Sequence, residues 1–452
     1  MFKTLKNSWR IPELKNKLLF TLLIIILYRL GSAIPVPYVD VIARDSIADA
    51  WGGGNILQFI NLLTGGALGQ GTLFALGVSP YITASIVMQL LSIAIPYFER
   101  KSKEGEEGKK VINAWTRGVT MVLAVITSIG YVMMLESYGI LHKEATFFVY
   151  LVMVACYCAG AALVMWLAEK INESGIGNGI SIILFANIVS SVPGQLGELI
   201  TTAFKNPAVG GGFDIWGLIV SLLFAVGLLA LLMLIVWMSD AERRIPIQYA
   251  KRVVGRKMYG GQSTNLPIKV NMSGVMPIIF ANSIVAILPT IASFIGNEKN
   301  GFVKFVNNWF SPTTWPYLIV FFVLLIAFAY FYVAISFNPV EVANNIKNNG
   351  GAIPGIRSGR PTVEFIKKVL NKITLLGALL VAIIACLPMI AGIILSYFPV
   401  APEYALFASA RFPISAMAFG GSSMMILVGV AIETTRELEA QMSLRNYKGF
   451  LD

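Results

Sequence analysis

The residues able to do covalent or metal chemistry are few in this chain, and their spacing keeps them apart. There is one histidine, His142, and there are three cysteines, Cys156, Cys158 and Cys386. Cys156 and Cys158 stand two apart in an apolar run of helical length, so they point to nearly opposite faces and cannot share a metal ion. Cys386 lies in another apolar run, and all three read as buried hydrophobes. His142 falls in a short connection and reads as a solvated surface residue. No metal centre or activated nucleophile can be built from this set. The nearest approach to a phosphate loop is Gly105-Glu106-Glu107-Gly108-Lys109-Lys110. It lacks the required spacing and the Ser or Thr after lysine, and its glutamates would repel a phosphate. It reads as a flexible charged turn, and no cofactor is expected. If transport here consumes ATP, another protein must hydrolyse it.

The elements that carry these residues follow from hydropathy. The chain is 56% hydrophobic and 13% charged, with a mean hydropathy of +0.72, outside the soluble range. At roughly 20 residues per membrane span, apolar segments fall near residues 17–34, 74–96, 113–135, 147–168, 178–195, 214–238, 272–296, 315–337, 373–398 and 411–432. The expected fold is therefore an all-α polytopic membrane protein with ten transmembrane helices. Lys15 and Lys17 precede the first segment, but no small-x-small cleavage site follows its apolar core, so it is expected to be retained. None of the segments has a charged residue near its middle. Secondary transporters keep coupling groups at that depth, and an intramembrane protease needs a nucleophile with a base or a metal. Both classes are disfavoured.

Charge sets the expected orientation. With the N-terminus on one side, 28 of the 35 Lys and Arg residues fall on that side, and 7 fall on the other or at its span ends. By the positive-inside rule both termini are cytoplasmic, and the net charge of +11 is concentrated on one face.

Three stretches depart from plain spans. Ile56 to Leu63 is apolar and helical in period but too short to cross about 30 Å of hydrocarbon. It runs into Gly65-Gly66-Ala67-Leu68-Gly69-Gln70-Gly71-Thr72. This is either an outer loop dipping back or a half-helix buried at membrane depth, where irregular backbone needs protein or a cavity around it. The second stretch, Ser239 to Asn271, reads as a projecting basic hairpin. A strand over Ile245–Val253, a turn over Val254–Lys257 and a return strand from Met258 would present Arg243, Arg244, Lys251, Arg252, Arg256 and Lys257. Positive-inside charge alone would explain some of these residues; a docking surface for an acidic or nucleic-acid-bearing partner explains more. In the third, Phe337 to Lys372, Pro339 opens a helix to about Asn348. Gly350 to Pro361 then forms a turn-rich tip carrying Arg357 and Arg360, suited to contact with carboxylate or phosphate.

Taken together, these residues resemble the SecY family, the central subunits of bacterial protein-conducting channels. The resemblance runs from Gly31-Ser32-Ala33-Ile34-Pro35-Val36-Pro37 through Gly65-Gly66-Ala67-Leu68, Gly77-Val78-Ser79-Pro80-Tyr81-Ile82 and Gly175-Ile176-Gly177-Asn178-Gly179-Ile180-Ser181. It continues through Gln262-Ser263-Thr264, Lys269-Val270-Asn271-Met272, Phe337-Asn338-Pro339 and Pro354-Gly355-Ile356-Arg357. It covers essentially the whole chain, and the strings are specific together rather than singly.

The resemblance implies two pseudo-symmetric halves of five spans, residues 1–195 and 214–432, with a hinge region at 196–213 and a cytoplasmic tail at 433–452. It implies a plug over residues 56–72 and a pore ring of Val78, Ile82, Ile180, Leu184, Ile279 and Ile426. Helical spacing independently puts Val78 with Ile82, and Ile180 with Leu184, on shared faces. The ring departs from an all-isoleucine pattern at Val78 and Leu184 while staying apolar. Such a ring offers no ligand to an ion, dewets when closed and deforms around an extended polypeptide. Gln89 and Asn271 match polar positions of a lateral gate between spans two and seven; local hydrogen bonding within the bundle is the competing reading. The implied partners are SecE- and SecG-like small membrane subunits, the SecA motor ATPase or the ribosome docked on the basic loops, unfolded preproteins with signal sequences, and the lipid bilayer. Arg357 matches an arginine that the family requires for coupling to the motor. The implied location is the bacterial cytoplasmic membrane, and no enzymatic activity is expected.

Overall fold

A computed structural model describes residues 7–39, 60, 61, 63–139, 141, 146–204, 215–249, 252–254, 257–259, 263–295, 300–311, 314–397 and 414–448. The described helices are α1 (Pro12–Gly31), α2 (Ser79–Ala94), α3 (Pro96–Lys103), α4 (Glu106–Ser137), α5 (Phe147–Ser174), α6 (Gly179–Phe204), α7 (Ile215–Asp240), α8 (Met276–Ile295), α9 (Gly301–Trp309), α10 (Trp315–Ser336), α11 (Pro339–Asn348), α12 (Arg360–Tyr397) and α13 (Ile414–Lys448). Five short strands accompany them: β1 (Glu242–Tyr249), β2 (Arg252–Val254), β3 (Lys257–Tyr259), β4 (Ser263–Lys269) and β5 (Gly351–Ala352).

Among the described residues four helical stretches are long and apolar enough to cross a membrane: α4, α5, α10 with its continuation into α11, and α12 to Ile390. A fifth is gained if α2 and α3 form one span bent by 99°. The bend lies at Ile95, whose extended backbone (φ −109°, ψ 119°) is what a following proline imposes. Shorter apolar helices occupy parts of α6, α7 and α8. The molecule is a helical membrane protein.

Several helices outrun the apolar segments. α4 begins seven residues before the expected 113, α12 thirteen before 373, and α13 continues to Lys448, well past 432. Hydropathy marks only the part that contacts lipid, whereas the helix continues wherever hydrogen bonding and packing sustain it. In the other direction, α2 starts at Ser79 rather than 74, because residues 74–78 form turns.

One large apolar core runs through the centre and draws on α1, α2, α5, α6, α7, α8, α10, α12 and α13. A second, around Tyr131, Tyr157 and Met134, packs α4 and α5 against residues 36–39 and 68–76. A third lies apart from both. Strand β1 pairs antiparallel with β4, from Glu242↔Lys269 to Gln248↔Ser263, and with β5 at Gln248↔Ala352 and Tyr249↔Gly351. Alternation along β1 turns Ile245 and Ile247 inward. There they meet Ile268, Ala343 and Ile346 of α11, Ile353, and Ile366 and Leu370 of α12. The two basic loops are therefore one small folded unit with a shared core.

This corrects the expected hairpin. The expected return strand is found at β3, which pairs with β2 through Val253↔Met258 and Val254↔Lys257, but β1 and β2 belong to different sheets. The main return strand is β4, later than Met258, because Ile245 and Ile247 need Ile268 on their buried face.

Candidate functional site

The six aliphatic residues expected to form a ring come from four helices. Val78 caps α2 and Ile82 lies in its first turn, with the Ile82 amide donating to the Val78 carbonyl at 3.0 Å. Ile180 and Leu184 lie at the start of α6, Ile279 on α8 and Ile426 on α13. Val78, Ile82, Leu184, Ile279 and Ile426 are all buried, and Ile180 is half-buried against the same core. The five buried side chains also line one cavity of about 290 Å³. Its remaining wall is built from α2, α4 and α8 and from Ile60, Leu63, Thr64 and Leu68. An apolar constriction of this kind offers no charge to an ion and no fixed hydrogen-bonding pattern to a peptide.

The glycine-rich stretch 65–72 is irregular backbone that reaches this cavity through Leu68, and its polar groups are satisfied from many directions. Within it, the Gly69 amide donates to Asn61 Oδ1 (2.8 Å), the Leu68 amide to Thr64 Oγ1 (3.2 Å) and Thr72 Oγ1 to the Ala67 carbonyl (3.2 Å). A bridge pairs Thr72 with Pro35, and the Val36 amide donates to the Gly71 carbonyl at 3.2 Å. Tyr131 donates from α4 to the Leu68 carbonyl, and Tyr157 from α5 to the Gly71 carbonyl at 3.3 Å. On α6, Asn187 donates to the Leu63 carbonyl (2.7 Å) and to the Tyr28 hydroxyl (2.9 Å). Gly65 adopts φ +66°, a backbone that favours glycine, and a Cβ there would stand 2.4 Å from Arg29 Nη1 and displace that side chain's end. This is the arrangement that irregular backbone needs at membrane depth.

Gln89 and Asn271 are each half-buried and make local bonds. Gln89 donates to Ser85 Oγ at 3.3 Å, and Ser273 donates to Asn271 Oδ1 at 3.4 Å. Sequence reasoning missed a more conspicuous polar group. Asn282 on α8 is 2% exposed, lines the cavity one turn from Ile279, and neither amide atom has a hydrogen-bond partner among the described residues. An Asn inside an otherwise apolar span was the available signal. Cys158 is buried with Ser128 Oγ 3.3 Å from its sulfur, Cys386 is buried, and Cys156 is half-buried.

The basic face presents Arg243 and Arg244 on exposed positions of β1, the latter paired with Glu242 at 2.7 Å. Arg252 and Lys257 stand in the β2–β3 pair opposite Tyr259 and Val254. Arg357 and Arg360 are exposed, Arg360 facing Glu364 at 3.3 Å. The tip carrying Arg357 is a tight turn in which the Ile356 amide donates to the Ile353 carbonyl at 3.0 Å. Pro354 and Gly355 (φ +80°) occupy the central positions that a type II turn favours. Buried Ile353 pins the turn to the small core, so Arg357 is displayed on a rigid mount. Lys251, Arg256 and His142 lie outside the described residues, as do residues 56–59 and 205–213.

The fold and the site define a polytopic helical membrane protein with a mainly apolar cavity among its helices and a folded basic unit at one end of α7 and α12. The profile of the SecY family matches residues 72–435. The chain belongs to the SecY family of protein translocase subunits. It is 42% identical to protein translocase subunit SecY of Streptomyces galbus, with 100% of each chain covered. A solved SecY structure, in which the plug domain is described as stabilising the closed state of the translocation channel, matches with a TM-score of 0.65 at 18% identity. That likeness covers 95% of this chain and 92% of the other. Sec61 in the canine ribosome-channel complex from the endoplasmic reticulum matches with a TM-score of 0.61 at 17% identity over 95% and 92%. At such identities the two likenesses show the fold.

Proposed function

We propose that this chain is the pore subunit of a protein-conducting channel, passing unfolded secretory polypeptides across the membrane and releasing apolar segments sideways into it. The observation that carries the reading is the convergence of Val78, Ile82, Leu184, Ile279 and Ile426 from four helices on one apolar cavity next to a glycine-rich loop. As the pore ring, these side chains with Ile180 form a deformable seal that suits any polypeptide sequence. Residues 56–72 act as the plug. The cavity between α2, α4 and α8 is where the lateral gate parts, with Gln89 and Asn271 tuning its edges.

Ten spans in two halves of five, 1–195 and 214–432, hinge about 196–213, with both termini in the cytoplasm. The basic unit then faces the cytoplasm and docks the SecA motor or the ribosome through Arg243, Arg244, Lys251, Arg252, Arg256, Lys257, Arg357 and Arg360. The fold shared with Sec61 of a ribosome-channel complex supports the second of these partners. SecE- and SecG-like subunits brace the assembly, and the motor supplies the ATP hydrolysis. The chain itself belongs to a family of channel subunits rather than enzymes.

Reconstitution tests this reading. Proteoliposomes holding the channel should import an unfolded preprotein when motor and ATP are added, and should move no small solute down an ion gradient. Solute transport by the purified chain alone would overturn it.

A further inference from the structure

We propose that Asn187 is a latch: a positioning residue that holds the glycine loop to the first half of the molecule, so that parting α2 from α8 and releasing the loop are separate steps. The inference rests on the reading of residues 65–72 as the plug.

Asn187 is fully buried in an apolar helix, where an unpaired carboxamide would be costly. Its bonds run outward to two other elements. Nδ2 donates to the Leu63 carbonyl (2.7 Å) and to the Tyr28 hydroxyl of α1 (2.9 Å), while Oδ1 accepts from Arg29 Nη1 at 3.5 Å. The same Arg29 Nη1 donates to the Gly65 carbonyl at 3.4 Å. The two nitrogens thus grip successive stretches of loop backbone, at Leu63 and Gly65, and they steady each other. Because both targets are carbonyl oxygens, the grip does not depend on the loop's side chains. It does depend on Gly65, since a Cβ there would also come within 2.9 Å of Asn187 Oδ1. Leu184 stands three residues before Asn187 on α6, so the latch shares a helix face with the constriction.

The origin of the donors matters most. Among the described residues, the side chains that hold this loop and the turn before it from other elements are Arg29 (α1), Tyr131 (α4), Tyr157 (α5) and Asn187 (α6). All precede residue 205. From the second half, α8 and α13 offer the cavity apolar side chains such as Ile279 and Ile426, which let go without loss of a hydrogen bond. Movement of α8 away from α2 therefore breaks none of these four side-chain contacts. The loop stays with the first half until Asn187 and Arg29 release it.

The test compares ion conductance of the resting channel in planar bilayers for three variants: Asn187→Leu, Arg29→Met and a chain lacking residues 65–70. Asn187→Leu keeps the volume and removes the donors. It should raise resting conductance about tenfold or more, the scale of losing one or two hydrogen bonds from the closed state, without a signal peptide present and with unchanged thermal stability. Arg29→Met should act in the same direction, and it decides the matter if Asn187→Leu does not fold. If the loop-deleted chain leaks and neither point variant does, the latch is overturned and the plug reading stands. If the loop-deleted chain does not leak, the plug reading fails and the latch with it.

Discussion

At the scale of single residues, the constriction is a matter of what is missing from its lining. Val78, Ile82, Leu184, Ile279 and Ile426 meet with no charge among them, and of the polar side chains lining the same cavity Asn282 is buried with no hydrogen-bond partner among the described residues. Replacing Ile426 with Asn puts an amide where water is excluded. The expected result is a hydrated ring, higher ion leak and export of substrates with weak signal sequences; unchanged leak and unchanged selectivity would move the ring elsewhere. Asn282→Leu works in the opposite sense. It removes an unsatisfied amide costing about 1–3 kcal/mol and lets α8 close more firmly on α2 and α4. Export should then fall about tenfold for the least apolar signals and little for the most apolar, measured across signals of graded hydropathy. The aliphatic positions were legible only through the family resemblance, with helical spacing supporting the pairs Val78–Ile82 and Ile180–Leu184; taken singly, each reads as ordinary span packing. Asn282 and Asn187 were not legible in the same way, because their importance lies in having no partner or in having distant ones. Asn187 reaches Tyr28 and Leu63, 159 and 124 positions away in sequence.

Among the elements, the basic unit shows where local pattern stops being informative. Composition revealed two basic protrusions, and the turn residues around Pro354 were visible as such. The sheet that unites them depends on a two-residue strand, β5, and on pairing of β1 with β5 across about a hundred residues. No local periodicity carries that. The glycine loop was legible as irregular backbone, since a short apolar helix followed by four glycines in eight residues cannot span a bilayer. The unit's own core makes it testable apart from the channel. Ile366 of α12 is fully buried in the small core beneath the sheet, so Ile366→Ala should destabilise this unit by about 2–5 kcal/mol. Faster hydrogen exchange in β1 and β4 and weaker motor or ribosome binding should follow, with the resting ion seal intact. Arg357→Glu should leave the exchange pattern alone. It should abolish motor-driven export while the channel still inserts into the membrane, and unimpaired export would remove Arg357 from the coupling role.

For the molecule as a whole, an uncharged interior and a basic face are two parts of one arrangement. A conduit for polypeptides has to accept acidic, basic and apolar side chains in turn, so it holds no group that would retain any of them. On the proposed reading, selection falls to the docking face, the lateral gate and the plug. Helices from α1 to α13 share one apolar core, and family membership with full-length identity of 42% to a protein translocase subunit fixes the class of work it does. The central claim is that a substrate passes between the four helices that supply the ring. Photoreactive residues placed singly at Ile82, Ile180, Ile279 and Ile426, and for comparison at the exposed α10 positions Ile319 and Val323, test it directly against an arrested secretory polypeptide. The account predicts cross-links from all four ring positions to the same short stretch of substrate and none from α10. Cross-links confined to the α10 positions, with the ring silent, would contradict it.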